Sequence, residues 1–311
     1  MGNSLFEEAR RLFGKNIAFR EPLSKHCSFG IGGPADLFLS AADIGLLKEG
    51  LAFCREWSLP YLVLGRGTNM LVPDSGVRGM VICVRAGSVH FDQNRVVAQA
   101  GASLQKLARM VAERGLAGME FAVGIPGSVG GAAITNAGAH GGWIGELIEE
   151  VRLVETSAVR GSGSGVGGGE VRLGKNDLRF GYRESNLRHF PGIVSEVILV
   201  LHEDEPQAIR ERMERYLLLR RSSQPIRCRS AGSVFKNVGG QAAGRLIDLA
   251  GCKGMRRGGA VVSHKHANFI INSGGATYSD VKALIEDVRE KVRAAHGVEL
   301  ELEIIDLGDW A

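Results

Sequence analysis

The chain has 311 residues, 44% hydrophobic and 23% charged, which is typical of a globular protein long enough for two domains. No apolar run approaches the roughly 20 residues that a membrane-spanning helix requires, and a net charge of +4 is small for a nucleic-acid-binding protein of this length. Five scattered cysteines without a CxxC pair predict neither a disulfide framework nor a zinc site.

The first half of the chain is predicted to mix helices and strands. Its N-terminal segment predicts a short amphipathic helix with Leu5, Ala9 and Leu12 on one face, and it lacks the uninterrupted apolar stretch of a secretory signal, so we expect a cytoplasmic protein. Apolar runs and helical spacing then predict strands at 36–39, 61–64, 80–84 and 95–100, and helices at 41–57 and 102–114.

From about residue 150 the pattern favours strands, at 151–155 and 192–201. The glycine-rich run 161–169 between them is expected to be a surface loop. A helix is predicted at 205–221, ending at the polar stretch RSSQP. We therefore predict two domains, residues 1–204 and residues 205–311.

The C-terminal segment predicts a helix at 278–295 and then a strand. Thr277 and Asp280 form a candidate capping box, and Gly297 is the expected stop. In the following sequence ELELEII, apolar residues alternate with Glu299, Glu301 and Glu303. A strand would place these three carboxylates on one face.

Two nucleotide-binding signatures occur in the sequence, and we interpret both as chance matches. GSGVGG at 163–168 fits GxGxxG but lies in a low-complexity run with no preceding strand. GEVRLGKN at 169–176 nearly fits a P-loop, but Asn176 replaces the Ser or Thr that would bind magnesium.

Two other glycine clusters join credible elements. GRGTNMLV at 65–72 follows a predicted strand, and its backbone amides could face a phosphate, although a tight turn between strands explains the same pattern. The stretch 123–142 contains seven glycines among small residues. Because such a segment cannot pack a core through its side chains, we expect its backbone to lie against a large ligand.

The polar residues of the second half are dispersed over three motifs. GYRES at 181–185, AGSVFKN at 231–237 and VSHKHANFIIN at 262–272 each contain candidate ligand-binding side chains. Each residue alone is explained as well by a surface charge, a turn cap or a satisfied polar group.

Taken together, nine segments in chain order resemble the UDP-N-acetylenolpyruvoylglucosamine reductase (MurB) family, in its form with a compact substrate domain. They are SFGIGGPADLF at 28–38, GRGTNMLV at 65–72, GMEFAVGIPGSVGGAAITNAGAHGG at 118–142, FGYRES at 180–185, RRSSQP at 220–225, AGSVFKN at 231–237, AAGRLIDLAGCKG at 242–254, GGAVVSHKHANFIIN at 258–272 and GVELELEI at 297–304.

The resemblance implies an α+β fold: a two-subdomain FAD-binding module of the vanillyl-alcohol-oxidase (PCMH) type followed by a smaller α+β substrate-binding domain. It implies NADPH-dependent reduction of UDP-N-acetylglucosamine enolpyruvate to UDP-N-acetylmuramate through FAD, in peptidoglycan synthesis. No obligatory protein partner is evident from the sequence, and neither nucleic acid nor a membrane is expected to bind.

The resemblance also assigns site residues. The implied catalytic residues are Arg183, Ser233 and Glu303. The implied cofactor-binding residues are Gly65, Arg66, Gly67, Thr68, Asn69, Met70, Leu71, Gly124, Ile125, Pro126, Gly127, Ser128, Gly130, Gly131, Asn136 and Ala137. The candidate substrate-binding residues are Tyr182, Gln224, Lys236, Asn237, Lys265 and His266.

Chemistry suits the three implied catalytic residues. Arg183 can bind a carboxylate in bidentate fashion, Ser233 can donate a proton to a basic carbon, and Glu303 can help only if it is protonated or bridged by water. The sequence departs from the family pattern at Gly30, where a basic residue is usual, and at Val238, where proline is usual.

Two other functions remain open at this point. A different flavin oxidase or dehydrogenase on the same FAD module would leave GYRES, AGSVFKN and GVELELE unexplained. A non-catalytic nucleotide-sugar-binding protein would not need Arg183, Ser233 and Glu303 together.

Overall fold

The computed structural model describes residues 3–156, 169–308 and 310. Within them the α-helices are α1 (Asn3–Phe13), α2 (Ile44–Glu56), α3 (Leu104–Ala112), α4 (Val129–Thr135), α5 (Pro206–Ser223), α6 (Ala243–Leu249) and α7 (Tyr278–His296).

The described strands vary in length from two to nine residues. They are β1 (Ile17–Pro22), β2 (Pro34–Ala41), β3 (Tyr61–Leu64), β4 (Met70–Leu71), β5 (Val77–Val84), β6 (Val89–Asp92), β7 (Arg95–Gln99), β8 (Leu116–Ala117), β9 (Gly138–Ala139), β10 (Gly142–Trp143), β11 (Ile148–Glu155), β12 (Glu170–Gly174), β13 (Phe180–Gly181), β14 (Glu184–Ser185), β15 (Gly192–Val200), β16 (His202–Glu203), β17 (Arg256–Arg257), β18 (Ala260–Val262), β19 (Ile270–Asn272) and β20 (Ile305–Asp306).

The chain divides into two compact units, neither of which is continuous in sequence. The first unit comprises residues 1–19, 37–66 and 79–218, and the second comprises residues 20–36, 67–78 and 219–311. The predicted domains, 1–204 and 205–311, differ from these units in residues 205–218 and in the two early segments. The domain boundary between residues 204 and 205 stays a prediction.

The first unit is built around β-sheets. Strands β12, β11, β15, β7 and β6 form a five-stranded antiparallel sheet in that order. A four-stranded sheet has the order β1, β2, β5 and β3, with β3 parallel to β5. Helices α2 and α3 contribute buried leucines to the same hydrophobic core, including Leu47, Leu51, Leu104 and Leu107.

The second unit has its own core, which the early segments help to form. Phe29 and Ile31 are buried together with Val281, Leu284 and Ile285 of α7. The antiparallel strands β17, β18 and β19 form a sheet, and β4 pairs in parallel with β20. Because these contacts join residues far apart in sequence, no periodic pattern could reveal them.

Helix α7 confirms the predicted capping signals. The Thr277 side chain accepts a hydrogen bond from the Asp280 amide, and the Asp280 side chain accepts one from the Thr277 amide. Gly297 ends the helix with a left-handed φ of 65°. At the other end of the chain, α1 buries Leu5 and Ala9 as predicted, but Leu12 is 45% exposed and Phe13 is buried instead.

The predicted strand in ELELEII is wrong in its extent. Leu302 forms an isolated bridge with Phe235, and a regular strand begins only at Ile305. The reason is a change of partner: residues 301–303 hydrogen-bond to residues 234–236, whereas residues 305–307 bond to residues 69–71. The alternation itself is present, because Leu300 and Ile304 are buried while Glu299 and Glu301 are exposed.

The structure agrees with rejecting the P-loop match. Glu170–Gly174 is strand β12, paired with β11, and it does not lead into a helix. The other match, at 163–168, lies outside the described residues, as does the glycine-rich run except for Gly169.

Candidate active site

The two predicted glycine segments of the FAD site approach each other at Gly65, in the first unit. Gly65 directly follows β3, and a Cβ atom at this position would lie 2.5 Å from Oγ of Ser128. The Cys83 thiol donates to the Gly65 carbonyl at 3.4 Å. A side chain at residue 65 would have to displace the Ser128 hydroxyl, which caps the Gly131 amide.

Gly67 is fixed differently, within the second unit. Its φ of 60° is left-handed, and a Cβ atom there would clash with the carbonyl oxygen of His26. The Ser28 amide donates to the Gly67 carbonyl at 2.9 Å. The following Met70 and Leu71 bury their side chains, so any cofactor contact from these two residues would involve their backbone.

The start of helix α4 is tightly packed. The amides of Val129 and Gly130 donate to the carbonyls of Ala102 and Ala100, and a Cβ atom at Gly130 would lie 2.7 Å from the Ala100 Cβ. The Gly131 amide is capped by the Ser128 hydroxyl at 3.3 Å. These glycines therefore serve close backbone packing, and their amides already have partners within the protein.

Asn136 ends α4 in the left-handed conformation, with φ 45°. Its side chain is buried and is used on both sides: Nδ2 donates to the Gly181 carbonyl at 2.8 Å, and Oδ1 accepts from the Gly145 amide at 3.0 Å. The neighbouring Ala137 is half-buried and bonds through its backbone to Ala132. Asn136 thus acts as scaffold for the hairpin that follows Gly181.

Arg183 lies at the tip of that hairpin, formed by β13 and β14. Its φ of 59° is unusual for a residue with a side chain and costs about 1–3 kcal/mol. The guanidinium carbon lies 5.3 Å from the ring centroid of Tyr182, which is 54% exposed. Ser185 anchors the hairpin by donating to the Ile134 carbonyl at 2.8 Å.

Ser233 lies in the second unit beside a buried asparagine. Asn268 is 4% exposed, and its side chain accepts from the Phe235 amide at 2.9 Å and donates to the Phe235 carbonyl at 2.8 Å. Its carbonyl also accepts from the Val234 amide. Among the described residues the Ser233 hydroxyl has no hydrogen-bond partner, so it can act as a donor or an acceptor.

Glu303 is held next to the Ser233 segment. Its amide donates to the Val234 carbonyl at 2.8 Å, and its carbonyl accepts from Asn69 Nδ2 at 3.0 Å. The side chain of Glu303 is half-buried, whereas Glu301 is exposed and pairs with Lys236 at 3.3 Å. Ser233 and Glu303 lie close together because Glu303 pairs through its backbone with Val234, the residue after Ser233.

Three of the candidate substrate-binding side chains have partners within the protein. Asn237 Oδ1 accepts from the Ala243 amide at 3.1 Å at the start of α6. Lys265 Nζ donates to the Arg221 carbonyl. The Lys236 ammonium pairs with Glu301.

The groups around His266 lower the pKa of its imidazole and fix the position of the ring. Burial and the nearby Lys253 ammonium lower the pKa of His266, which favours the neutral imidazole. The ring meets Phe269 edge-on at a centroid distance of 4.9 Å, and Nδ1 accepts from the Asn268 amide at 3.3 Å.

Sequence reasoning missed two residues. Asn268 lies within the motif VSHKHANFIIN, but its two hydrogen bonds to the Phe235 backbone are not visible in a local pattern. Arg220 is half-buried, burial lowers the pKa of its guanidinium, and it has no counter-charge among the described residues. One turn further on, the buried Oε1 of Gln224 has no donor within the described part of the chain. In the sequence, the motif RRSSQP is what marks Arg220 and Gln224.

Two protein families match the sequence. The FAD binding domain family matches residues 35–158, and the family described as UDP-N-acetylenolpyruvoylglucosamine reductase, C-terminal domain, matches residues 224–306. With the mixed α and β architecture, these matches define an FAD-dependent oxidoreductase with an FAD-binding domain and a separate C-terminal domain.

Individual relatives agree across almost the whole chain. It is 40% identical over 295 residues to UDP-N-acetylenolpyruvoylglucosamine reductase of Clostridium botulinum (strain 657 / Type Ba4), covering 94% of this chain and 93% of the relative. It is 45% identical over 289 residues to the protein of the same name from Moorella thermoacetica, covering 93% and 92%. The crystal structure of UDP-N-acetylenolpyruvylglucosamine reductase from Thermus caldophilus matches with a TM-score of 0.77 at 36% identity, covering 92% of this chain and 97% of that one. The chain belongs to the UDP-N-acetylenolpyruvoylglucosamine reductase family.

None of the helices within the described residues combines the length and the apolarity that crossing a bilayer requires.

Proposed function

We infer that this chain uses NADPH to reduce the enolpyruvyl double bond of UDP-N-acetylglucosamine enolpyruvate, giving UDP-N-acetylmuramate for peptidoglycan synthesis in the cytoplasm. The observation that carries this inference is the family match at residues 224–306, which includes both Ser233 and Glu303. A match to the FAD module alone would leave the substrate open.

The glycine loops fit FAD. Gly65 carries no side chain and lies against Ser128, and a loop with so little side-chain bulk lets a large planar or phosphate-bearing ligand approach its backbone. We propose that residues 65–71 and 124–137 hold the cofactor, mainly through backbone groups other than the amides of Val129, Gly130 and Gly131, which are bonded within the protein. The chemistry that FAD would supply there is the relay of a hydride from NADPH to the substrate.

Arg183 is proposed to bind and polarise the substrate carboxylate. A guanidinium is permanently charged and binds a carboxylate through two hydrogen bonds, so it stabilises the negative charge that develops when hydride adds to the conjugated double bond. The left-handed backbone of Arg183 supports a functional role, because the hairpin tip keeps a strained residue where glycine would be more stable.

Ser233 is proposed to protonate the carbon next to the carboxylate. Its hydroxyl is without a partner among the described residues, while Asn268 fixes the backbone of Phe235, two residues away. A fixed backbone and an available hydroxyl are what a proton donor needs.

Glu303 is proposed to act on the same developing charge, either as the protonated acid or through a water molecule. A bare carboxylate would repel an enolate, so one of these two forms is required. Its half-buried position distinguishes it from Glu299 and Glu301, which are exposed.

Substrate phosphates, uridine and sugar are assigned to Tyr182, Gln224, Lys236, Asn237, Lys265 and His266, to which we add Arg220. Arg220 and Gln224 support this assignment best. Burying a guanidinium without a counter-charge lowers stability, and so does burying an amide oxygen without a hydrogen-bond donor. A bound ligand that supplies the negative charge and the donor would remove both penalties.

The function is tested by incubating the purified protein with NADPH and the enolpyruvyl substrate and identifying the product by mass spectrometry. We expect UDP-N-acetylmuramate to form in equal amount to the NADPH consumed. NADPH oxidation that proceeds at the same rate without substrate, and no product, would indicate a different flavin enzyme.

A further inference from the structure

The backbone of Glu303 is fixed from two directions within the second unit. Its amide donates to the Val234 carbonyl at 2.8 Å, and its carbonyl accepts from the side chain of Asn69 at 3.0 Å. A residue whose amide and carbonyl are both bonded has little freedom to rotate about its backbone. These two bonds therefore set the direction in which the Glu303 side chain leaves the chain.

Asn69 makes a second bond to the same segment. Its backbone carbonyl accepts from the Ile305 amide at 2.9 Å, at the head of the parallel pairing between β4 and β20. Asn69 thus holds the chain on both sides of Ile304. At Glu303 the C-terminal segment changes its hydrogen-bonding partner from residues 234–236 to residues 69–71. The Glu303 carbonyl is therefore not paired within a regular strand, and the Asn69 side chain donates a hydrogen bond to it.

We propose that Asn69 is a positioning residue for Glu303. The Asn69 side chain orients the carboxyl group during substrate reduction, through the carbonyl of residue 303, whereas any contact of residue 69 with the cofactor comes from its backbone. The inference rests on the proposed function. Because Asn69 comes two residues after Gly67, it also ties the proposed cofactor loop to the Glu303 segment.

The variant Asn69→Asp tests this role with almost no change in shape. A carboxylate oxygen replaces the amide donor and faces the Glu303 carbonyl, so the bond becomes a repulsion. Asn94→Asp is a matched control, because Asn94 Nδ2 donates to the Leu201 carbonyl at 2.9 Å in the turn between β6 and β7. Asn69→Ala removes the side chain without adding charge, and it serves if Asn69→Asp does not fold.

Both half-reactions of the FAD-loaded protein are followed by stopped-flow absorbance. We expect Asn69→Asp to slow flavin reoxidation by substrate about 10- to 100-fold, the usual cost of misplacing a reacting group. Flavin reduction by NADPH and the dissociation constant of FAD should stay at the wild-type values. Asn94→Asp should change none of the three quantities.

A readout without substrate accompanies the kinetics. Amide hydrogen exchange across residues 299–307 should become faster in Asn69→Asp, because the segment loses one of its anchors, and should be unchanged in Asn94→Asp. The double variant Asn69→Asp with Glu303→Gln should be no slower in reoxidation than Glu303→Gln alone, because Asn69 acts only through Glu303.

The inference is overturned if Asn69→Asp reoxidises at the wild-type rate, if it weakens FAD binding and slows both half-reactions equally, or if the two substitutions are additive. These outcomes differ from a failure of the proposed function. In that case the reduced wild-type flavin would itself not be reoxidised by the enolpyruvyl substrate.

Discussion

The side-chain amide of Asn136 donates a hydrogen bond to the Gly181 carbonyl at 2.8 Å, so the residue that ends α4 also holds the strand before Arg183. Oδ1 of the same side chain accepts from the Gly145 amide. One buried asparagine therefore joins the glycine-rich segment of the proposed FAD site to the hairpin that carries the proposed carboxylate-binding arginine.

Replacing Asn136 should destabilise the protein through two separable effects. Asn136→Gly removes both side-chain hydrogen bonds but tolerates the left-handed backbone, and we expect the free energy of unfolding to fall by about 1–3 kcal/mol. Asn136→Ala should lose about 1 kcal/mol more, because alanine is strained at φ 45°. Urea denaturation of the FAD-loaded variants measures both. Wild-type stability of Asn136→Gly would contradict the scaffold role.

Ser233→Ala should separate the two half-reactions. We expect flavin reduction by NADPH to be nearly unchanged and reoxidation by substrate to slow about 10²- to 10⁴-fold, as for removal of a single acid–base group. Ser273→Ala is the control, since Ser273 lies on the surface and donates to the Gly259 carbonyl. Equal slowing of both half-reactions by Ser233→Ala would refute its role as the proton donor.

Glu303→Gln and Glu301→Gln form a matched pair two residues apart. Glu303 is half-buried between its two backbone anchors, whereas Glu301 is exposed beside Lys236. We expect Glu303→Gln to retain fold and FAD while severely impairing substrate reduction, and Glu301→Gln to be mild. Flavin reoxidation rates decide between them. A severe defect at Glu301 alone would mean that the motif has been matched two residues out of register.

Acid should destabilise the wild type more than Asp306→Asn. Burial raises the pKa of the Asp306 carboxyl, but hydrogen bonds from Lys282, the Gly308 amide and Tyr278 outweigh burial and lower it overall. A depressed folded-state pKa contributes stability above the unfolded value, about 3.9, and that stability is lost as the pH falls through the folded value.

Urea midpoints at pH 7, 5 and 3 measure this effect. The wild-type midpoint should fall more steeply between pH 5 and pH 3 than that of Asp306→Asn, which has no carboxyl to protonate at this position. Parallel curves for the two proteins would show that Asp306 carries no such linkage.

Shortening the glycine-rich run 161–169 should cost little activity. The run comes after β11 and before β12, its residues 161–168 lie outside the described residues, and no ligand is assigned to it. A shorter polar loop between paired strands changes the free energy of folding only slightly. We expect the deletion variant to keep FAD and activity. Loss of FAD from a folded deletion variant would place this loop in the cofactor site.

Local signals were enough to predict elements whose contacts are local. Helix α7 was predicted closely because Thr277, Asp280 and Gly297 lie within or beside the helix that they cap. The segment after it was predicted wrongly as one strand, because its change of hydrogen-bonding partner depends on residues far away in the chain.

In the proposed site, too, local motifs are visible in the sequence and long-range contacts are not. Glycine-rich segments and the motif around Ser233 are visible in the sequence, whereas the groups that hold them are not. The bond from Asn69 to the Glu303 carbonyl spans 234 residues, and the bonds between Asn268 and Phe235 span 33. Hydrogen bonds over such separations leave no periodic trace, so positioning residues require the structure.

An anaerobic titration of the purified protein tests the central claim most directly. NADPH should bleach the flavin absorption band, and subsequent addition of UDP-N-acetylglucosamine enolpyruvate, with no NADPH remaining, should restore it in a one-to-one ratio with formation of UDP-N-acetylmuramate. A flavin that NADPH reduces but the enolpyruvyl substrate leaves reduced would contradict the account.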